Sequence, residues 1–194
     1  MFVQIIRAKA GDPAGLKKVW EENKGRHGEG FLGATAGVTT KGIFVVAARF
    51  ENEALAKKMS DSAEQSAMWA QIESCLDGPA EFLESSDVFM ERPGSEKAGF
   101  VQMMRSKVSD RKRVEELEIQ FDEQVSTLRP DLIGHMNVWL PDGRVHTVDW
   151  FTSEAEARAG EKKDMPADMQ ETFQEWMALS SDVEWFDITD PWYA

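Results

Sequence analysis

Two of the chain's three histidines, His135 and His146, fall in a short stretch that also holds Asn137, Asp149 and Trp150. An imidazole held by a carboxylate can take a proton from a weakly acidic hydroxyl. A neighbouring amide can hold the oxygen that becomes charged. Whether these parts meet depends on the turn between Trp139 and Arg144. If Asp142-Gly143 is a two-residue turn, Pro141 pairs with Arg144. His135 then lies opposite Trp150 and Trp139 opposite His146, an aromatic and polar cluster on one face. If Leu140 pairs with Arg144 across a three-residue turn, His135 faces Asp149 instead, a pair suited to general-base work. Strand side chains alternate between faces, so one residue of register separates the two arrangements. His135, His146 and Asp149 are the candidate catalytic residues. A metal is not expected, because two histidines and one aspartate without an HxH or HxxxE framework fall short of a metal-ligand set.

These residues belong to the second of two copies of one module. Phe2-Val3-Gln4-Ile5-Ile6-Arg7 returns as Phe100-Val101-Gln102-Met103-Met104-Arg105, an offset of 98. Asp12-Pro13 and Asp110 are start signals for a first helix. Its apolar stripe is Leu16, Val19 and Trp20 in one copy, over Pro13–Asn23. In the other it is Val114, Leu117, Phe121 and Val125, over Arg111–Thr127. Gly30-Phe31-Leu32-Gly33 aligns with Asp131-Leu132-Ile133-Gly134, now offset by 101. Hairpin turns follow at Thr40-Lys41-Gly42 and Pro141-Asp142-Gly143, then third strands at Ile43–Phe50 and Arg144–Phe151. Asn52 and Ser153 are N-cap candidates for a second helix, and Ser153 with Glu156 makes a capping box. A further helical piece carries Met68, Trp69 and Ile72, or Phe173, Trp176 and Met177. Short strands at Phe82–Asp87 and Trp185–Asp190 close the copies.

The order strand–helix–strand–strand–helix–strand is the ferredoxin-like unit. Its antiparallel sheet carries helices on one face and leaves the other needing cover. The expected fold is therefore α+β: two tandem ferredoxin-like repeats packed sheet to sheet as a pseudo-dimeric α/β barrel. Residues 1–90 form the first repeat, 91–98 a polar linker and 99–194 the second.

Comparing the copies shows where chemistry is concentrated. Ala34, Ala36, Val45 and Ala48 stand where the second copy has His135, Asn137, His146 and Asp149. A pseudo-dimer needs only one equipped site. The other reading of the same residues is an exposed hairpin whose polar groups meet solvent. Gln4 and Gln102 match between copies, as do Arg7 and Arg105. Either glutamine can hold an oxygen-bearing ligand in an apolar pocket, or make a structural hydrogen bond. His27 lies in a glycine-rich connection without the Lys-Ser/Thr ending of a phosphate loop. Trp20, Trp69 and Trp176 sit in helical patterns and read as core.

The GFLG run at residues 30–33, and the stretch Gly42-Ile43-Phe44-Val45-Val46-Ala47-Ala48-Arg49-Phe50-Glu51-Asn52-Glu53-Ala54, resemble the dimeric α/β-barrel superfamily. The likeness is greatest to antibiotic-biosynthesis-monooxygenase-like modules, in a fused two-copy form found among actinobacterial proteins of unassigned activity. That resemblance implies a possible cofactor-independent oxygenase of a phenolic or aromatic metabolite. His135 or His146 would deprotonate a phenol, Asn137, Gln102 or Arg105 would hold the oxyanion, and O2 would react with the electron-rich carbon. Gln4, Trp150 and Trp69 complete the implied substrate-binding set. Haem-degrading relatives use an Asn on strand one, and a Trp and an iron-binding His on helix two. Here strand one carries Gln4 or Gln102, Trp69 matches the Trp, and neither second helix has a His. Haem degradation is not expected.

Bulk properties bound the rest. The net charge of −13 over 194 residues argues against a nucleic-acid partner. No apolar run approaches the roughly 20 residues of a membrane span, and the N-terminus shows no signal peptide. Cys75 is the sole cysteine, which suits the cytosol. No nucleotide or flavin motif calls for a cofactor. The expectation is a cytoplasmic, acidic, monomeric pseudo-dimer that binds a small apolar or aromatic molecule. The alternative is a non-catalytic binding or stress-related scaffold, with haem binding as a third reading.

Overall fold

The computed structural model describes residues 1–194 except Pro93 and Ser95, and all other side chains except those of residues 121–124 and 126. The place of Phe121 in the helical stripe, and Pro93 and Ser95 of the linker, lie outside the described residues. The first repeat comprises β1 (Phe2–Lys9), α1 (Pro13–Asn23), β2 (Phe31–Val38), β3 (Ile43–Phe50), α2 (Glu53–Ser60), α3 (Ala63–Ser74) and β4 (Glu81–Ser85). After β5 (Val88–Arg92) come β6 (Phe100–Val108), α4 (Arg111–Leu128), β7 (Leu132–Trp139), β8 (Arg144–Phe151), α5 (Glu154–Gly160), α6 (Ala167–Leu179), β9 (Ser180–Ile188) and β10 (Trp192–Tyr193).

The strands form two five-stranded sheets, ordered β10-β2-β3-β1-β4 and β5-β7-β8-β6-β9. Without their first members these are the same antiparallel ferredoxin-like order, so the fold is α+β with two tandem repeats. The chain divides into two compact units, Met1–Val88 with Phe186–Ala194, and Phe89–Trp185. Glu91 and Arg92 thus lie in an edge strand of the second sheet, and Trp192 and Tyr193 in an edge strand of the first. The closing strand β9 begins five residues before Trp185, because Ser180 passes directly from α6 into extended backbone (φ −105°, ψ 138°).

Local chemistry sets the helix starts. The carboxylates of Asp12 and Asp110 accept from the backbone N–H of Gly15 at 3.0 Å and of Arg113 at 3.1 Å. Asn52 and Ser153 cap α2 and α5 in the same way. Each side chain satisfies a donor that the helix itself leaves without a partner. Asp110→Ala is therefore expected to destabilise the second unit by about 1 kcal/mol. The check is urea denaturation, where a lower midpoint at unchanged slope is the expected outcome.

Both hairpins use three-residue turns. Leu140 N–H donates to the Arg144 carbonyl at 2.8 Å, and Gly143 N–H to the Leu140 carbonyl at 3.1 Å. Gly143 has φ 82°, the left-handed conformation that closes such a turn with a bulge. Thr39, Gly42 (φ 72°) and Ile43 repeat the pattern. Of the two registers open to the sequence, the second is therefore formed: His135 stands opposite Asp149. In the first unit Leu16, Trp20, Phe44 and Phe50 fill the space between sheet and helices. In the second unit Val114 of α4 packs on Trp139 and Val145, and Phe100 and Phe151 pack on Ala157 of α5.

Candidate functional site

Three adjacent strands of the second unit bring His135 (β7), Asp149 (β8) and Gln102 (β6) into one cross-strand row. The next row places Asn137 beside Thr147 on the same face. His135 Nδ1 lies 2.7 Å from Asp149 Oδ1. Asn137, 0 % exposed, approaches His135 Nε2 with its Nδ2 at 3.2 Å and donates to Glu118 Oε1 at 2.9 Å. Its Oδ1 accepts from the Thr147 hydroxyl at 2.6 Å. A continuous polar chain thus runs Glu118–Asn137–His135–Asp149 through a mostly apolar interior.

This network assigns the imidazole tautomer. With the amide oriented to accept from Thr147, its Nδ2 donates to His135 Nε2, so the ring proton sits on Nδ1 and points at Asp149. Burial resists charging the ring, but Asp149, aided by Glu118 and Glu91, outweighs it and holds the imidazole above its ordinary value. Burial likewise lifts the Glu118 carboxyl above its ordinary value, against the pull of His135 and the Asn137 hydrogen bond. A proton arriving at Nε2 would face the amide's own N–H groups. Accepting it requires the Asn137 amide N–H to leave Nε2.

The row borders a cavity of about 200 Å³ between the sheet and helices α4 and α6. Its apolar wall includes Met104, Leu117, Phe173 and Trp176, and its polar wall His135, Asp149, Glu118 and Glu91. The matching cavity of the first unit is about 70 Å³, with Ala34 and Ala48 at the places of His135 and Asp149.

The remaining sequence candidates are distributed as follows. His146 is three residues from Asp149 on β8 and so projects from the opposite face, where it is buried. Trp150 shares that face, and a Cβ on Gly134 would come within 3.0 Å of its ring. Arg105, opposite His146 on β6, is ion-paired with Glu184. Gln4 and Trp69 line the smaller cavity of the first unit, where Gln4 donates to Glu84 at 2.7 Å. The structure brings together His135, Asp149, Asn137 and Gln102, and places His146, Trp150 and Arg105 across the sheet from them. Glu118 was missed. Its signal was available: it lies four residues after Val114, inside the stripe of α4 that should be apolar throughout. Phe173 and Trp176 lay in an anticipated helical pattern, and they face the cavity.

Among the described residues, no helix is long and apolar enough to cross a membrane. No protein-family model matches the chain, and no curated protein matches it in sequence. Solved structures do. A candidate monooxygenase from Lactobacillus acidophilus matches with a TM-score of 0.72 at 8% identity, over 100% of this chain and 98% of its own. A second, from Fusobacterium nucleatum, matches with a TM-score of 0.74 at 7% identity, over 96% of this chain and 90% of its own. An anthrone oxidase-like protein matches with a TM-score of 0.67 at 10% identity, over 100% of this chain and 93% of its own. At such identities the likeness is one of fold. The chain has a ferredoxin-type α+β fold written as two tandem repeats, the fold it shares with these structures.

Proposed function

We propose that the second unit binds a small, ring-containing and mostly apolar molecule beside His135 and Asp149, and oxygenates it without a cofactor. The observation that carries this reading is the His135–Asp149 pair opening onto an apolar cavity of about 200 Å³. An engineered apolar cavity of about 150 Å³ accepts benzene, so this one suits a molecule of one or two rings. A phenol bound there loses its hydroxyl proton to the His135–Asp149 pair, which leaves an electron-rich ring carbon. That carbon bonds to O2, giving a ring hydroperoxide. Loss of water, with cleavage of the O–O bond and the C–H bond at the same carbon, leaves a quinone carbonyl. Phenol and O2 thus become quinone and water, with all four electrons supplied by the substrate. A cytosolic location suits the single cysteine, and two repeats in one chain suit a monomer.

One observation favours a second reading, binding without turnover: both ring nitrogens of His135 already have partners, Asp149 and Asn137. Oxygen uptake and calorimetric binding with 1-naphthol distinguish the two. Binding with oxygen uptake supports the oxygenase. Binding without uptake leaves a binding module. A cavity-filling Thr172→Trp variant is expected to abolish binding in either case. Full affinity in that variant would place the ligand elsewhere and remove the site from both readings.

A further inference from the structure

The walls of the two cavities carry opposite charge. In the second unit, Glu91 from β5, Glu118 from α4 and Asp149 from β8 border the cavity, and His135 is the only basic side chain among the described lining residues. That lining thus holds three carboxyl groups and a single imidazole. The first unit's cavity, also between sheet and helices, has Lys24, Arg26 and His27 from the α1–β2 connection in its lining, and no Asp or Glu among its described lining residues. Two copies of one scaffold have thus diverged in sign, and only the second is both larger and acidic.

We infer that the cavity of the second unit selects an organic cation, a protonated amine carried on an aromatic or apolar body; the inference rests on the proposed reading of this cavity as the ligand site. Partly buried carboxyl groups such as Glu118 and Asp149 are weakly screened toward an apolar enclosure, so a cation entering it is favoured over an anion. An ammonium group supplies that charge and three N–H donors. An anionic ligand would add a negative charge to a wall that already carries a surplus. Phe173 and Trp176 stack with centroids 6.0 Å apart, and Trp185 adds a third ring to the lining. Aromatic faces accept both a flat apolar body and a cation. A metal ion is the poorer occupant, because no three of the described carboxylate, His and Cys groups converge as ligands. For the oxygenase reaction the same ammonium has a second use. It offsets the phenolate that proton transfer creates, which the acidic wall would otherwise oppose.

The test compares three probes of nearly equal shape and different charge, benzylammonium, benzyl alcohol and benzoate, by calorimetry on the full chain at neutral pH. Benzylammonium is expected to bind at least tenfold more tightly than benzyl alcohol, and benzoate not at all. Glu91→Gln at an exposed position, and Glu118→Gln in the wall, should each lower the ratio of amine affinity to benzyl alcohol affinity several-fold. Benzyl alcohol binding as tightly as the amine, or measurable benzoate binding, overturns the charge inference and leaves the cavity reading standing. Failure of all three probes overturns both. The exposed Glu91→Gln variant keeps the test decisive should Glu118→Gln fail to fold.

Discussion

Asn137→Ala is expected to destabilise the second unit by about 3 kcal/mol, more than a surface amide truncation by an order of magnitude. The amide is fully buried and engages three side chains: Glu118, His135 and Thr147. Alanine has no hydrogen-bonding group and fills none of these roles. A carboxylate oxygen, an imidazole nitrogen and a hydroxyl would each be left inside without that partner, and one such buried loss costs about 1–3 kcal/mol. The sum stays near the upper end because Asp149 still holds the ring through Nδ1. The measurement is amide hydrogen exchange of β7 and β8 under native conditions, which reads the second unit without averaging over the first. Thr147→Val in the Asn137→Ala background should cost less than it does alone, because the hydroxyl has by then lost its acceptor. Additive losses would mean that the amide does not organise the network, and a loss below about 0.5 kcal/mol would remove it from any structural role.

The contrast between Asn137 and Ala36 also shows what the sequence makes legible. The offset between copies located strands and helices closely, because caps such as Asp12 and Asn52 act within one turn of the residues they serve. The third strands at residues 43–50 and 144–151 lie as their patterns require. Register was undecidable from the same information. Asp142-Gly143 fits a two-residue turn and a three-residue turn, and the folded chain forms the second, with Gly143 in the left-handed conformation. Edge strands were the other blind spot. Glu91-Arg92 reads as polar linker, yet β5 is an edge strand, where charge is tolerated because one side has no neighbour to pair. Glu118 stayed hidden for a different reason. Periodicity counts apolar positions, and a carboxylate within the stripe of α4 registers as noise until β7 supplies the amide that justifies it.

Asp149→Asn is expected to reverse the direction in which His135 departs from an ordinary imidazole. In the native protein, burial pushes toward the neutral ring and Asp149 on β8 pushes back hardest, with Glu118 on α4 and Glu91 on β5 adding to it. Asparagine keeps the burial and removes the strongest opposing charge, so the ring should titrate below its usual value of about 6.5. The stability consequence changes sign with it. A raised histidine contributes stability that is fully present below the unfolded value and lost as pH rises through the folded one. In the variant the folded value lies below the unfolded one, so this group's contribution should instead grow as pH rises. Proton NMR of the imidazole rings gives the titration directly, with His135 assigned by loss of its signal in His135→Gln. His27, which burial alone holds below its ordinary value, is an internal reference for a ring with no carboxylate partner. Turnover of a phenolic substrate should fall by about 10²-fold or more, the usual contribution of a positioned general base. A ring that still titrates above its ordinary value in Asp149→Asn would mean that Glu118 and Glu91 hold the charge. The proton-accepting role would then pass from the β7–β8 pair to the carboxylates of α4 and β5.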